Sequence, residues 1–396
     1  MAGGRKAGAG AGRRASALGA LGATAGLWGA HNVASRWLLA GEWEEAPGRG
    51  RARPPSPAGL TAERGAVGGL ALGLASLWDA CPGSEGEASG KFKVPERPES
   101  LEPSTSAPAP ASDATGAYGP LWTLRAGGEL ALYDFLGMAL EAWALSEGPE
   151  GAPHTTAIRA SFLAAVTSVL VPPLAGLAGE RVRREQASGC ALAAAGTALF
   201  ALDAGVRDAS AAAFAPLGVV LSTGDSAVLA AAFCWAAFTV RLSALAQRPG
   251  ARVVGISAAR ALVSLAFALV WAASEASGGT LDWGSYLDAP VLAPGEGTAL
   301  PLAVFMFTAL GSGALASTLQ AYGQRGVGSA RAQVVLSTTP LFTTILALAL
   351  GLPGEGLGPQ GVAGGALIVV GSALGSGFLE AADGPAEEKT PTSPTR

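Results

Sequence analysis

The sequence predicts an all-α polytopic membrane protein in which ten transmembrane helices form two inverted repeats of five helices each. Three observations lead to this fold class: a composition poor in charge, ten apolar segments, and a hairpin sequence that occurs twice. Of the 396 residues, 49% are hydrophobic and only 14% are charged, whereas soluble proteins carry about 25% charged residues. The deficit of charge extends over most of the length, so a single apolar tail does not explain it.

The repeated sequence is a predicted helical hairpin that begins at Arg159 and again at Arg331. Both copies open with Arg-Ala and continue through about twenty apolar residues to Gly-Glu, at residues 179–180 and 354–355. In both, a glycine follows nine residues after the Glu, and another follows seven residues later. Each copy therefore predicts two apolar helices joined by a polar turn, and a duplicated hairpin of this kind indicates half of a duplicated membrane protein.

Ten segments are assigned as transmembrane helices, because a bilayer core of about 30 Å needs about twenty apolar residues. The segments are residues 16–39, 60–77, 121–145, 156–177, 187–204, 225–242, 253–274, 300–322, 331–350 and 358–379. A signal peptide is the alternative for the first segment, because basic residues precede it. Its length and the presence of Trp28, His31 and Asn32 favour a membrane span.

The remaining sequence divides the chain into two repeats and their polar flanks. The predicted parts are a cytoplasmic tail (1–15), a first repeat (16–204), a linker (205–224), a second repeat (225–380) and a disordered tail (381–396). The first repeat contains an insertion at residues 82–116, and its Pro, Ser, Glu and Ala content predicts disorder. With both termini inside, seventeen Lys and Arg residues fall in inner loops and tails and four in outer loops, in agreement with the positive-inside rule.

Further matches extend the duplication to all five helices of each half. Residues 59–64 match residues 255–260, residues 140–143 match residues 319–322, and residues 28–33 match residues 235–240 more weakly. Because five is odd, the second copy enters the membrane from the opposite side, which relates the halves by a two-fold axis in the membrane plane. Secondary transporters have this architecture, since two inverted halves can open one central site to either side in turn.

The chain resembles the EamA-type members of the drug/metabolite transporter superfamily over residues 16–380, apart from the insertion. The matching motifs are Leu27–Gly29 with Asn32, Ala62–Arg64, Arg159–Leu163, Gly179–Gly196, Gly224–Asp225, Ser329–Arg331, Thr339–Pro340 and Gly354–Gly371. The resemblance implies ten helices in two repeats, both termini in the cytoplasm, and transport of small organic metabolites. Ser168 departs from the family, which has a proline there. Pro172 and Pro173 follow instead, so the helix bend is expected to be displaced toward them.

One set of candidate residues is expected to line a central cavity and bind the substrate. Trp28, His31 and Asn32 share one face of the first helix, and Trp235 is the matching residue of the sixth segment. A stripe of this kind on a membrane helix either lines a cavity or hydrogen-bonds a neighbouring helix. The substrate-binding candidates are Trp28, His31, Asn32, Trp235, Gln320 and Gln324.

Charged residues within the predicted spans form a second set of candidates, because charges in a bilayer are costly and often functional. They are Glu129, Asp134, Glu141, Arg64, Arg159, Arg260 and Arg331. The arginines have a simpler explanation, since long side chains near helix ends reach the headgroup region. Glu141 corresponds to the neutral Gln320, so it could pair with an arginine or exchange a proton. Glu129 and Asp134 lie nearer mid-bilayer and are the best candidates for proton coupling, the alternative being structural pairing, for example with Arg125.

The sequence gives no sign of an enzyme, a metal site or a nucleic-acid-binding protein. Two histidines lie far apart, three cysteines have unrelated spacings, and HExxH, GxSxG and CxxC are absent, so no catalytic residue, metal or cofactor is expected. The net charge of −4 offers no basic surface for nucleic acid.

We therefore expect a secondary transporter of small organic metabolites, embedded in the lipid bilayer of a plasma membrane or of an organelle envelope such as that of a plastid. A membrane-embedded scaffold or enzyme without transport is the alternative, and a passive channel is a third interpretation. Glycines four residues apart, such as Gly371 and Gly375, are expected to pack helices within one chain, with a homodimer contact as the alternative.

Overall fold

The computed structural model describes residues 2–39, 56–80, 119–146, 154–201, 213–214, 219–220, 222–278, 299–352 and 357–376. The predicted disordered segments, residues 82–116 and 381–396, lie outside these ranges, as does the second Gly-Glu dipeptide. Within them the chain forms helices and connecting turns, with one short exception. Strands β1 (Ala213–Phe214) and β2 (Val219–Val220) pair antiparallel in the predicted linker.

The described helices correspond to the ten predicted apolar segments. They are α1 (Ala2–Leu39), α2 (Pro57–Ala80), α3 (Pro120–Leu145), α4 (residues 157–177), α5 (Arg184–Ala201), α6 (Thr223–Ala246), α7 (Val253–Ser277), α8 (Ala299–Val327), α9 (Ser329–Leu350) and α10 (Pro359–Ser376). Helix α1 begins at Ala2, well before the predicted start of the first span, so the predicted N-terminal tail continues the helix.

The outer faces of several helices are apolar, as an integral membrane protein requires. Among the described residues, helices α6, α7, α8 and α9 are long and apolar enough to cross a membrane by length and composition, and all four belong to the second half. Large apolar side chains such as Trp78 and Val270, each 71% exposed, face outward. Soluble monomers rarely expose contiguous apolar patches of this kind. The chain is therefore an integral membrane protein, and the helices of its first half are less apolar because they contain more Gly and charged residues.

Helices α4 and α9 are interrupted at the same place in the two repeats. Helix α4 breaks at residues 165–166 and α9 at residues 337–338, which lie equally far from the opening Arg-Ala of each copy. Pro340 follows the break in α9, as in the family pattern, whereas Pro172 and Pro173 lie inside the second piece of α4. The expectation that these two prolines displace the break was therefore wrong.

A threonine hydroxyl explains why α4 breaks without a proline at the family position. Thr167 and Thr339 each open the piece after the break and donate a side-chain hydrogen bond to the carbonyl three residues earlier, at 2.6 and 2.7 Å. A Ser or Thr hydroxyl that bonds the preceding turn competes with the helical hydrogen bonds and often bends the helix. Both copies therefore have a threonine hydroxyl bonded to the preceding turn at the helix break.

Two carboxylates hold helix N-termini in place. Asp225 and Ser222 form a capping box at the start of α6, and Thr155, just before α4, donates a 2.9 Å hydrogen bond to the same carboxylate. Glu180, from the first Gly-Glu dipeptide, accepts hydrogen bonds from the amide (3.2 Å) and hydroxyl (2.7 Å) of Ser329 at the start of α9. Each carboxylate thus connects the two halves and satisfies amide groups that a helix leaves unpaired.

The helix contacts between the halves are reciprocal. Helix α2 packs on α7 and α5 packs on α10, so each of these helices meets its own counterpart. Helix α3 packs on α6 and α7, while α8 packs on α1 and α2. Likewise α1 contacts α9, and α6 contacts α4. Every contact named here has an equivalent with the two halves exchanged.

Glycines bring α5 and α10 into close contact. A Cβ on Gly189 would lie 2.6 Å from the Gly371 carbonyl oxygen, and one on Gly196 would lie 2.5 Å from that of Gly364. The repeat alignment pairs Gly189 with Gly364 and Gly196 with Gly371, so these are two equivalent contacts. Small residues permit such close helix packing in membranes. The glycines of α10 thus pack within the chain, and a homodimer stays a prediction.

Candidate functional site

A cavity of about 220 Å³ lies between the two halves and is the candidate site. Its lining comes from helices α1 to α4 and α6 to α9, which are the first four helices of each half, and none of the described lining residues belongs to α5 or α10. The predicted site residues at this cavity are Trp28, His31, Asn32, Arg64, Asp134, Glu141, Trp235, Arg260 and Gln320. The fold thus brings together most of the candidates from both predicted sets.

Residues that are aligned between the repeats line this cavity together. The predicted pairs are Trp28 with Trp235, Arg64 with Arg260, and Glu141 with Gln320, and all six residues are in the lining. Continuing the same alignment adds His31 with Phe238, Asn32 with Thr239, Ser161 with Gln333, and Thr167 with Thr339. Each half therefore contributes the same positions, but with different side chains at most of them.

Asp134 and Arg260 form an ion pair at the cavity that joins α3 to α7. Their side chains are 18% and 9% exposed, respectively, and Arg260 Nη1 contacts Asp134 Oδ2 directly. Ser264 lies 3.4 Å from the same carboxylate oxygen, and the Arg260 guanidinium lies 5.8 Å from the centre of the Phe238 ring. Arg260 is therefore held by a carboxylate and an aromatic face from two neighbouring helices.

Arg64 occupies the equivalent place in the first half. It is buried at the cavity, as are Glu141 on α3 and His31 on α1. Its charge acts on both of these residues. In a low-dielectric interior the attraction between a guanidinium and a carboxyl group is stronger than in water.

A π-helical segment within α8, Phe307–Leu315, forms part of the cavity wall. Within it, the Ser312 hydroxyl lies 2.6 Å from His31 Nδ1 and donates to the Thr308 carbonyl at 2.9 Å. Because the single hydroxyl hydrogen is used in that second bond, Nδ1 of His31 is assigned as the donor to Ser312. Short π-helical stretches inside α-helices are frequent at functional sites.

Four predicted site residues lie away from the cavity lining or have no described side chain. Gln324 is fully buried, and neither atom of its side-chain amide has a hydrogen-bond partner in the structure. Glu129 forms a two-fold hydrogen-bonded ion pair with Arg241 on α6, with a 3.0 Å bond from Nη2, rather than a pair with the exposed Arg125.

The other two are arginines at the start of the repeated hairpins. Arg331 is half-buried near the start of α9 and does not line the cavity. Arg159 lies in α4, and its side chain is outside the described part of the structure.

Sequence reasoning missed a group of small polar residues in the cavity wall. They are Thr61, Ser161, Thr167, Ser264, Thr308, Ser312, Ser317, Gln333, Ser337 and Thr339. The spacing of Thr308 and Ser312, four residues apart on one helix face, is the kind of signal that could have found them. Among the described residues, no three His, Cys, Asp or Glu side chains come together as a metal site would require.

Comparison with known proteins agrees with this architecture. Residues 222–376 match the model of the EamA-like transporter family. This part of the chain is therefore similar to the EamA-like transporter family. The resemblance predicted from the sequence is thereby confirmed, with the match covering the second half of the chain.

A solved structure described only as the crystal structure of a protein shares the fold of this chain. The two are 20% identical, the TM-score is 0.52, and the similarity covers 89% of this chain and 98% of the other. The shared fold therefore extends beyond the family match into the first half. No curated protein in the comparison matches the chain.

Proposed function

We propose that this protein is a secondary transporter that moves small organic metabolites by alternating access between two inverted five-helix repeats. The observation that carries the proposal is the cavity, which aligned residues from both halves line together. An inverted duplication offers two equivalent arrangements of the halves around one central site, each open to a different side of the membrane.

Three features of the fold support the inverted arrangement of the repeats. The helix contacts occur in pairs that exchange the halves. The helix breaks at residues 165–166 and 337–338 lie at aligned positions. The two glycine contacts between α5 and α10 are also aligned with each other. Such reciprocity is what a two-fold relation between the halves requires.

Glu141 is our candidate for proton coupling. Its side chain is buried at the cavity, and its aligned residue, Gln320, cannot ionise. Glu129 and Asp134 each have an arginine partner on a neighbouring helix, which favours a structural role for them. A buried acid in a transport cavity can take up a proton on one side and release it on the other as the site alternates.

The test is a metabolite-wide uptake screen in sealed proteoliposomes, with and without an inward proton gradient. The wild type is compared with Glu141→Gln and with Glu129→Gln, a matched control whose carboxylate lies outside the cavity. Saturable uptake of at least one solute is expected in the wild type. Acceleration of uptake by the gradient is expected in the wild type and in Glu129→Gln, and its loss is expected in Glu141→Gln.

The outcomes separate the two parts of the proposal. Gradient-driven uptake that persists in Glu141→Gln would remove the coupling role of Glu141 but leave transport intact. Uptake of no solute by protein shown to be folded would contradict transport and favour a membrane-embedded scaffold or enzyme. Uptake without saturation or competition would indicate a passive channel.

A further inference from the structure

The two ends of the cavity are closed by residues that the repeat alignment relates to each other. Leu145 on α3 lies one turn beyond the lining residue Glu141, and it belongs to a cluster of buried apolar side chains from six helices. Gln324 on α8 lies one turn beyond Gln320, the lining residue aligned with Glu141. We refer to these two places as the Leu145 end and the Gln324 end.

The closures at the two ends are similar except at a few positions. Most residues aligned with the apolar cluster are buried and apolar as well, and examples are the pairs Leu38 with Leu245, Leu60 with Ile256, and Ala160 with Ala332. Leu145 and Gln324 differ most, since both side chains are buried (1% and 0% exposed) but only one is apolar. In addition, the polar Ser329 takes the place of Ala157. It bonds to Glu180, whose second carboxylate oxygen is buried without a hydrogen-bond partner in the described part of the chain.

The side chain of Gln324 is enclosed without hydrogen bonds. Neither its amide nitrogen nor its amide oxygen has a hydrogen-bond partner among the described residues. Beside it α8 packs tightly on α1, because a Cβ on Gly323 would lie 2.5 Å from Leu21 Cγ and 3.0 Å from the Ala17 carbonyl oxygen. A buried amide without partners destabilises the arrangement that buries it, and contact with water removes this cost.

We propose that Gln324 is a gating residue that makes the Gln324 end of the cavity open more readily than the Leu145 end. When the helices separate at the Gln324 end, water reaches the amide and supplies the missing hydrogen bonds. When they separate at the Leu145 end, water reaches apolar side chains, which is unfavourable. The inference rests on the proposed transport function, and it adds which of the two openings is more populated in the protein without solute.

Two buried hydroxyls nearer the Leu145 end have a smaller effect. Ser35 on α1 and Thr344 on α9 are buried, and their hydroxyl oxygens also have no hydrogen-bond partner in the described ranges. A hydroxyl can rotate toward a carbonyl of the preceding helical turn, whereas an amide needs separate partners for its NH₂ group and for its oxygen. The difference between the two ends is therefore set mainly by Gln324.

The experiment measures, from each side of the membrane, how fast a cysteine in the cavity is labelled. The reporter is Ser317→Cys, a conservative change at a lining residue, in the full chain with its three native cysteines replaced by alanine. Sealed vesicles of opposite orientations are exposed to a charged, membrane-impermeant methanethiosulfonate. A separate cysteine at the exposed Ser188, close to the contact between Glu180 and Ser329, shows which side of each vesicle is the Gln324 side.

The reporter protein is expected to label about tenfold faster from the Gln324 side, because the cost of an unpartnered buried group shifts a two-state equilibrium by about that factor. Gln324→Met has nearly the same size but no amide, and it is expected to slow labelling from that side by a similar factor. Leu145→Gln is expected to speed labelling from the Leu145 side. The double exchange Gln324→Leu with Leu145→Gln is expected to reverse the preference.

Three results would overturn the inference. The first is labelling of the reporter protein from the Leu145 side at an equal or higher rate than from the Gln324 side, and this result does not depend on whether the variants fold. The second is an unchanged rate from the Gln324 side in folded Gln324→Met. The third is a Gln324→Met protein that gains thermal stability but keeps the same side preference, because the amide would then affect packing without affecting the opening.

Saturable uptake of solutes by proteoliposomes separates this inference from the proposed function. Uptake without a side preference in labelling would leave transport intact and remove the gating role of Gln324. The expected labelling pattern without uptake of any solute would keep the unequal opening and contradict transport. No labelling from either side, in protein whose reporter reacts after denaturation, would contradict both.

Discussion

The contact between α5 and α10 predicts that a single added methyl group separates the last helices of the two halves. In Gly371→Ala the new Cβ would lie 2.6 Å from the Gly189 carbonyl oxygen and 2.8 Å from the Ala193 amide nitrogen. Ordinary contact begins at 3.4 Å, so the helices would have to move apart by about 0.8 Å, and a close-packed interior resists such a change. Overpacking of this kind costs about 1–3 kcal/mol.

The assay is unfolding of the detergent-solubilised protein by sodium dodecyl sulfate, from which the free energy of unfolding is obtained. Gly73→Ala on α2 is the matched control, because a Cβ there would meet no atom within 4 Å. Alanine is favoured over glycine in a helix by up to about 1 kcal/mol, so the control is expected to be neutral or stabilised. An unfolding free energy for Gly371→Ala equal to that of the control would refute the reasoning about close contact.

Two further predictions concern the hydrogen bonds and ion pair at the cavity. Asp134→Asn is expected to lower the free energy of unfolding by about 3 kcal/mol, because it leaves the nearly buried Arg260 guanidinium without its carboxylate. Adding Arg260→Gln should restore most of the loss, and a double variant as unstable as the single one would contradict this. Ser312→Ala is expected to cost about 1–2 kcal/mol because it removes the acceptor of His31 Nδ1, whereas Ser277→Ala, at an exposed helix end, should have a much smaller effect in the same titration.

Much of the helical architecture could be predicted because it depends on features that are continuous along the chain. Apolar segments set the ten helices, and the duplication strengthened the assignment of segments whose Ala and Gly content makes them weak on their own. The same alignment also anticipated three pairs of cavity residues. A repeat match at Arg64 and Arg260, for example, predicts equivalent positions without knowledge of which helices touch.

Other parts of the site depend on contacts between distant helices, and the sequence alone does not specify those. Asp134 and Glu129 were recognised as charged residues within spans, but their partners lie on α7 and α6, so a search close in sequence led to Arg125 instead. The hydroxyl groups of Thr308 and Ser312 resemble many others in the chain, and only the packing of α8 turns them toward the cavity. The helix break in α4 was misplaced because proline was considered and the threonine hydroxyl was not.

The cavity lining and the glycine contact lie on different helices, and this separation affects how such a protein can evolve. Helices α5 and α10 touch through glycines and supply none of the described lining residues, whereas the side chains that line the cavity belong to the other eight helices. If the cavity binds the solute as proposed, substitutions in the lining can alter which solute is accepted without disturbing the glycine contacts that hold the ends of the two halves together. A chain built this way can acquire new specificities in small steps, because selection for substrate and selection for a stable fold act on separate residues.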